Sequence, residues 1–323
     1  MSEANQALDA SVPPSAAVRL EQLRSGLTSA KPRSLAGDTW RRFRRHPLAI
    51  IGSIILIFLI TASAIGPRIY TKSHEELDFL NILVPPGTPG HLFGTDDLGR
   101  DLLARCLFGG GISLSVGVAA MFVSILLGTL IGSVAGFFGG RIDQFLMRLT
   151  DLFLALPVVP LLLLTVYLFR DPVTKAFGQI NGIFLIVVVM VGGLAWMQTA
   201  RIVRASFLSL KEKEFVEAAT ALGVGRWAIM FRHILPNALS PIIVAATLGV
   251  GTAIITESTL SFLGVGFPPD TPTWGRLVTD GSQFLQSAPH LALIPGALIF
   301  LSVLSINFLG DGLRDALDPR SRL

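Results

Sequence analysis

Side chains able to serve as acids, bases, nucleophiles or metal ligands are few and scattered in this 323-residue chain. Cys106 is the lone cysteine, so it supplies neither an internal disulfide nor a thiolate metal cage. An odd number of apolar spans precedes it, which places it on the extracytoplasmic side. Among the five histidines, His46 lies in the leading segment and His74 and His91 in an outer loop, while His233 and His290 fall on opposite membrane sides. None is spaced with Ser, Asp or Cys106 as a zinc site or an activated nucleophile requires. Asp96, Asp97 and Asp101 resemble a hard-cation cluster, but Thr95 followed by two acids reads more simply as a helix start, with carboxylates at the positive end of the helix dipole. Glu257 borders an apolar run. It is either a hydrogen-bonded or wet carboxylate near the outer end of a span, or a pathway contact for cargo. No catalytic residue and no metal ligand is assigned, and no phosphate-binding lysine motif is visible.

The elements that carry these residues are set by composition. Apolar residues make up 51% of the chain and charged residues 15%, against about 25% charged in soluble domains. Uncharged runs approach or exceed the ~20 residues that cross ~30 Å of hydrocarbon as a helix. They predict an all-α, polytopic membrane protein with six transmembrane helices at about 48–67, 112–138, 152–169, 181–199, 236–260 and 291–310. The segments 1–47, 141–151, 201–233 and 311–323 hold 19 of the 26 Lys and Arg residues, so the positive-inside rule puts both termini and the 201–235 loop in the cytoplasm. Ala62-Ser63-Ala64 imitates a signal-peptidase site, but the charged leader before it is too long, and the first span is expected to stay.

Between the spans, residues 1–36 read as a disordered cytoplasmic tail rich in Ser, Ala and Pro. Residues 37–47 pair Trp40 and Phe43 with four arginines and read as an amphipathic interfacial helix, aromatics at the headgroups and arginines on anionic lipid. The outer loop 68–111 is expected to carry an amphipathic helix through Leu98, Leu102, Leu103 and Leu107. Gly128, Gly132 and Gly136 are spaced for close helix approach. The 311–323 segment is read as a cytoplasmic tail.

The longest polar interruption in the second half is EFVEAATALGVGRWAIMFRHILPNALSP, from Glu214 to Pro241. Lys211 to Leu222 has helix formers throughout, with Ala218, Ala219 and Ala221 offering a low-profile face. Gly223 suits the left-handed position that ends a helix. A second helix from about Gly225 to Leu235 is expected to stop at Pro236. The product is a small knob suited to a groove.

Here the sequence resembles the permease subunits of ATP-binding-cassette importers. Glu217, Ala218, Ala219, Gly223, Leu235 and Pro236 match that family's EAA loop, although His233 stands where Ile is usual. With GTDDLGRDLLAR, HILPN, ESTLSFLGVG and GDGLRDALDPR, the resemblance runs from about Trp40 to Leu323, and these segments look like the C-type permeases of dipeptide, oligopeptide and nickel importers. It implies the type I ABC importer permease fold, in the cell membrane, with a transmembrane permease domain over 48–310. It also implies a second permease subunit, two cytoplasmic ATPase subunits that bind ATP and Mg, and an extracytoplasmic substrate-binding protein, with the EAA loop coupling the ATPases to the spans. No cofactor is expected in this chain and no nucleic acid among its partners. Two other classes remain in view. An ion-coupled secondary transporter would need ionisable groups near the membrane midplane, and the uncharged runs carry none, Glu257 lying just beyond the fifth, which ends at Thr256; an intramembrane enzyme would need a catalytic constellation, and none is found. Cargo stays open among dipeptide, oligopeptide, nickel and glutathione.

Overall fold

The computed structural model describes residues 35–317, and its apolar runs are helices whose backbone groups pair within the segment, as contact with lipid requires. Helix α1 (Leu35–Phe43) leads to α2 (Pro47–Ile69), and a loop over 70–101 leads to α3 (Leu102–Phe138). Next come α4 (Gly140–Ala155), α5 (Val158–Phe177), α6 (Gln179–Gly193), α7 (Trp196–Leu210) and the short α8 (Glu214–Ala221). Helix α9 (Arg226–Phe262), α10 (Trp274–Ser282) and α11 (His290–Leu317) complete the described chain. Helices α2, α3, α9 and α11 are each long and apolar enough to cross a membrane, whereas α4/α5 and α6/α7 do so as pairs bent by 85° and 40°. Counting each bent pair as one span gives six.

Both bends fall inside spans expected to be straight. The run 152–169 breaks at Leu156, whose extended ψ of 139° follows from the proline after it; a proline ring disfavours helical geometry in the residue before it. The run 181–199 breaks after Gly192 and Gly193, at Leu194 (φ −112°, ψ 3°) and Ala195 (φ −105°, ψ −8°). Helices α3, α9 and α11 also start or end well outside the expected spans, because residues beyond the uncharged runs continue each helix. In particular α11 runs to Leu317, so the first part of the expected 311–323 tail is helical.

The expected helix start at Thr95 is displaced. Asp96 instead closes a turn, accepting from the Leu98 and Arg100 amides at 3.0 and 2.9 Å and pairing with Arg100 Nε at 2.6 Å. Asp101 is the true cap, accepting from the Ala104 amide at 2.9 Å. It also receives the Tyr70 hydroxyl at 3.2 Å and contacts His91 Nδ1 at 3.0 Å. Burial, then the neighbouring Asp101 charge, pushes the Tyr70 phenol up to about 12. The expected separate amphipathic helix of the loop is therefore the first turns of α3, with Leu102 and Cys106 buried and only Leu98 left in the turn.

The expected interfacial helix over 37–47 is α1, and it ends at Phe43. Trp40 is exposed, but Phe43 turns inward against Ala49, Leu309, Leu313 and Ala316, so only one of the two aromatics is free for headgroups. The expected tail over 1–36 lies outside the described residues apart from its last two positions.

The tightest seam is between α3 and α7. Gly128 faces Thr199 and the Trp196 carbonyl, Gly132 the Ala200 carbonyl and Val203, and Gly136 Phe207 and the Arg204 carbonyl. Glycine at every fourth position removes the side chains that would hold the two backbones apart. Arg204 forks onto Asp143 at 2.5 and 2.6 Å, fastening α7 to α4.

Candidate functional site

The polar segment after α7 folds into a knob packed on the end of α7 and the start of α9. Its helix, α8, is shorter than the expected Lys211–Leu222, because Lys211 to Lys213 form a turn. Gly223 takes φ +77° and ends α8 as expected. Its amide donates to the Thr220 carbonyl at 3.0 Å and the Val224 amide to the Ala219 carbonyl at 3.1 Å, the paired bonds of a Schellman cap. A helix closed in this way holds a fixed shape. One face of α8 anchors it: Val216 and Ala219 are buried in a cluster with Val203, Phe207, Ile229, Met230 and Ile234. The opposite face is open, with Glu217, Ala218 and Ala221 exposed and Leu222 84% exposed.

Ala219 therefore departs from the reading of a wholly exposed alanine face. At its position on the helix it points the same way as Val216, into the body, so it fastens the knob and leaves the outer surface to Glu217, Ala218 and Ala221. A Cβ added at Gly223 would meet nothing within 4 Å, so that position also opens outward.

Pro236 does not stop the second helix. From Arg226 the chain stays helical to Phe262, with a π-turn over Ile229–Ile234 in which the Leu235 amide reaches back to the Met230 carbonyl. Widening the helix just before Pro236 changes the hydrogen-bond register where the proline lacks its N–H. The Asn237 amide group donates to the His233 carbonyl at 2.7 Å beyond it. Leu235 is half-buried and Pro236 exposed. These two residues thus lie on the rod that joins the knob to the membrane, away from Glu217 and Gly223.

Sequence reasoning missed the aromatic group beside the knob. Trp227 meets Phe138 edge-on at 5.5 Å and stacks on Phe231 at 6.1 Å, and Phe138 in turn meets Phe137. This group joins the start of α9 to the end of α3. The signal was a Phe-Phe pair at the close of one apolar run and a Trp within the polar stretch from Glu214 to Pro241.

Glu257 lies far from the knob and is fully buried. Its carboxylate accepts from Ser113 at 3.1 Å and Ser261 at 2.8 Å, while Ser113 Oγ accepts from the Trp274 amide at 3.2 Å. The group ties α3, α9 and α10 together and holds Glu257 buried and hydrogen-bonded in this structure. Glu257→Ala should leave buried hydroxyls without their acceptor, at about 1–3 kcal/mol. A lower Tm for Glu257→Ala than for Glu257→Gln, in detergent, checks this; equal values would remove the network from the account.

Comparison with known proteins follows the same lines. Residues 128–323 match the family described as binding-protein-dependent transport system inner membrane component, and residues 34–86 match the N-terminal transmembrane domain of oligopeptide transport permease C. The chain is 42% identical to the oligopeptide transport system permease protein OppC of Haemophilus influenzae, over 90% of each chain. It is 40% identical to the dipeptide permease DppC of Alkalihalophilus pseudofirmus, over 88% of this chain and 90% of that one. The glutathione transport permease GsiD of Pectobacterium atrosepticum is 36% identical, with the same two coverages. In fold, a chain of the inward-facing MetNI methionine ABC transporter superposes with a TM-score of 0.52 at 21% identity, over 65% of this chain and 95% of that chain. The chain therefore belongs to the binding-protein-dependent transport system inner membrane components, as a permease subunit of an ABC importer.

Proposed function

We propose that this chain forms, with a second homologous permease, the pathway by which an ATP-driven importer moves short peptides, and that the α8 knob is its handle on a cytoplasmic ATPase subunit. The observation that carries the coupling role is the knob itself: a capped helix anchored by Val216 and Ala219 whose outer face, formed by Glu217, Ala218, Ala221 and Leu222, is left uncovered. An uncovered Leu222 beside small residues suits a partner's groove better than water. Closure of the ATPase pair on ATP would move this handle, and the continuous rod of α9 would carry the movement into the membrane. An extracytoplasmic binding protein would deliver the cargo to the other side.

Peptide cargo is supported by the names of the relatives, which are oligopeptide and dipeptide permeases. Glutathione, itself a small peptide, is the second reading, because similar relatives bear that name too. Uptake of radiolabelled tripeptides by the reconstituted complex, in competition with glutathione and with Ni²⁺, separates the cargoes. ATP-independent uptake driven by an ion gradient would instead favour a secondary transporter.

Orientation follows from the Lys and Arg distribution and puts both termini and the knob in the cytoplasm. Cys106 is too buried to report on sidedness. Leu80 in the 70–101 loop is 95% exposed, so Leu80→Cys should react with an impermeant maleimide in intact spheroplasts. Reaction only after the membrane is opened would invert the topology.

A further inference from the structure

An open groove of about 550 Å³ runs along one flank of α2, lined by Phe58, Thr61, Ala62, Ile65 and Ile69 and, from α3, by Leu107. Small residues hollow it out: Thr61, Ala62 and Gly66, the last so close to α3 that a Cβ there would stand 2.8 Å from Leu107 Cδ2. Phe58 is the middle residue of α2 and Ile69 its last. At ~1.5 Å of rise per residue the groove is about 16 Å long, close to the ~15 Å of hydrocarbon in one leaflet. It therefore begins at the midplane and ends at the headgroups.

The mouth at that end is polar. Tyr70 and Thr71 line both the groove and a second space of about 340 Å³, whose wall adds Lys72, Ser73 and His74 with Ala104 and Phe108 of α3. His74 lies flat on Phe108, ring centroids 3.8 Å apart, which fixes that wall. Lys72 supplies the charge. Its ammonium lies 3.3 and 3.1 Å from the two ring nitrogens of His91, and none of the ion pairs among the described residues includes it. The acids around it are engaged elsewhere: Glu75 contacts His74 at 3.6 Å, and Asp78 and Asp101 contact His91 at 3.5 and 3.0 Å. An ammonium has three donors to give, so a cation at headgroup level stands without a carboxylate of its own.

From this division into an apolar groove and a cationic mouth, we infer that the site retains a phospholipid. One acyl chain lies along α2 against Leu107, and the phosphate sits at the mouth on Lys72, beside the Thr71 and Ser73 hydroxyls. The assignment is independent of cargo and of which membrane side this end faces. Length and charge select the occupant. A helix of the second permease would cross the whole bilayer rather than stop at Phe58, and its apolar side chains would bring Lys72 no anion. A charge-assisted bond is about twice as strong as a neutral one, which sets this lipid apart from those that only brush the helices.

The test uses the complex of this chain with its partner permease and ATPase subunits, in dodecyl maltoside micelles holding a trace of phosphatidylethanolamine with a diazirine near the end of one acyl chain. Photolysis should label α2 around Phe58 to Ala62 above the other apolar helices of the complex, and a diacylglycerol with the same diazirine should not. Labels on those other helices are the internal standard. In Ala62→Trp, which fills the groove, the α2 label should fall about tenfold, and in Lys72→Gln about fivefold, as loss of roughly one charge-assisted bond predicts. Lys72→Arg should retain it. Equal labelling of α2 by the two probes would overturn the site, since it would show ordinary contact with the surrounding lipid. Unchanged labelling in Ala62→Trp would overturn it too. So would loss of the second permease from purified Ala62→Trp complexes, which would give the groove to a partner helix. Should Lys72→Gln broaden the size-exclusion peak and so report a disturbed loop, Ala62→Trp and the diacylglycerol comparison still decide.

Discussion

Complexes built with Gly223→Leu or Glu217→Lys should insert, fold and hold their second permease, yet transport nothing. Gly223 has φ +77°, a conformation that costs an L-residue about 1–2 kcal/mol. A leucine there would therefore strain the cap that gives the knob its shape, and its side chain, finding nothing in its own chain within 4 Å, would project into whatever covers the knob. Glu217 is exposed on the same helix, so reversing its charge leaves the chain's own packing untouched and alters only the outer face. Interfaces rest on a few central residues, each worth on the order of 2 kcal/mol or more. Either substitution at the centre of a small docking surface should thus release the ATPase subunits or sever their response to cargo. Ala219 provides the contrast: Ala219→Glu would bury a charge against Phe207 and Met230 and should reduce folded yield, a failure of a different kind.

Gly132→Leu should be the most damaging single change to the fold. A Cβ at that position would strike the Ala200 carbonyl and approach Val203 Cβ at 2.8 Å. Both obstacles belong to α7, and a backbone carbonyl cannot rotate aside as a long side chain can. Overpacking typically costs about 1–3 kcal/mol, and four heavy atoms driven against a backbone belong at the upper end or beyond. Because α7 carries Arg204 and its ion pair to α4, separation from α3 would loosen both bent spans together. The expected result is aggregation or degradation in place of a monodisperse peak on size exclusion. A Gly132→Leu chain that purifies like the parent, with an unchanged Tm, would show that the glycine seam is slack.

Much of this architecture was legible from residues. Uncharged runs located the spans because hydrocarbon tolerates little else, and the four-residue glycine spacing pointed to a close seam, here found between α3 and α7. Gly223 was legible because few residues tolerate positive φ. What escaped had its cause in tertiary context. Leu156 and Pro157 sit in an unbroken apolar run, and hydropathy does not see an 85° bend. The start read at Thr95 fails because Arg100 and the turn amides hold Asp96 in a turn, while Tyr70 and His91 reach Asp101 across the loop and it caps α3 instead. Pro236 reads as a stop unless the π-turn before it is known. Ala219 shows the limit for the knob: three alanines look alike in sequence, and only the packing of Val216 on Phe207 decides which of them is turned inward.

We propose that the exposed face of α8 couples this permease to ATP hydrolysis. Its most direct test is the rate of ATP hydrolysis by reconstituted complexes, with and without cargo-loaded binding protein, for the parent chain, Gly223→Leu and Glu217→Lys. Strong stimulation is expected in the parent and little or none in the two variants, at equal levels of inserted permease. Full stimulation in both variants would contradict it and leave α8 as no more than a connector.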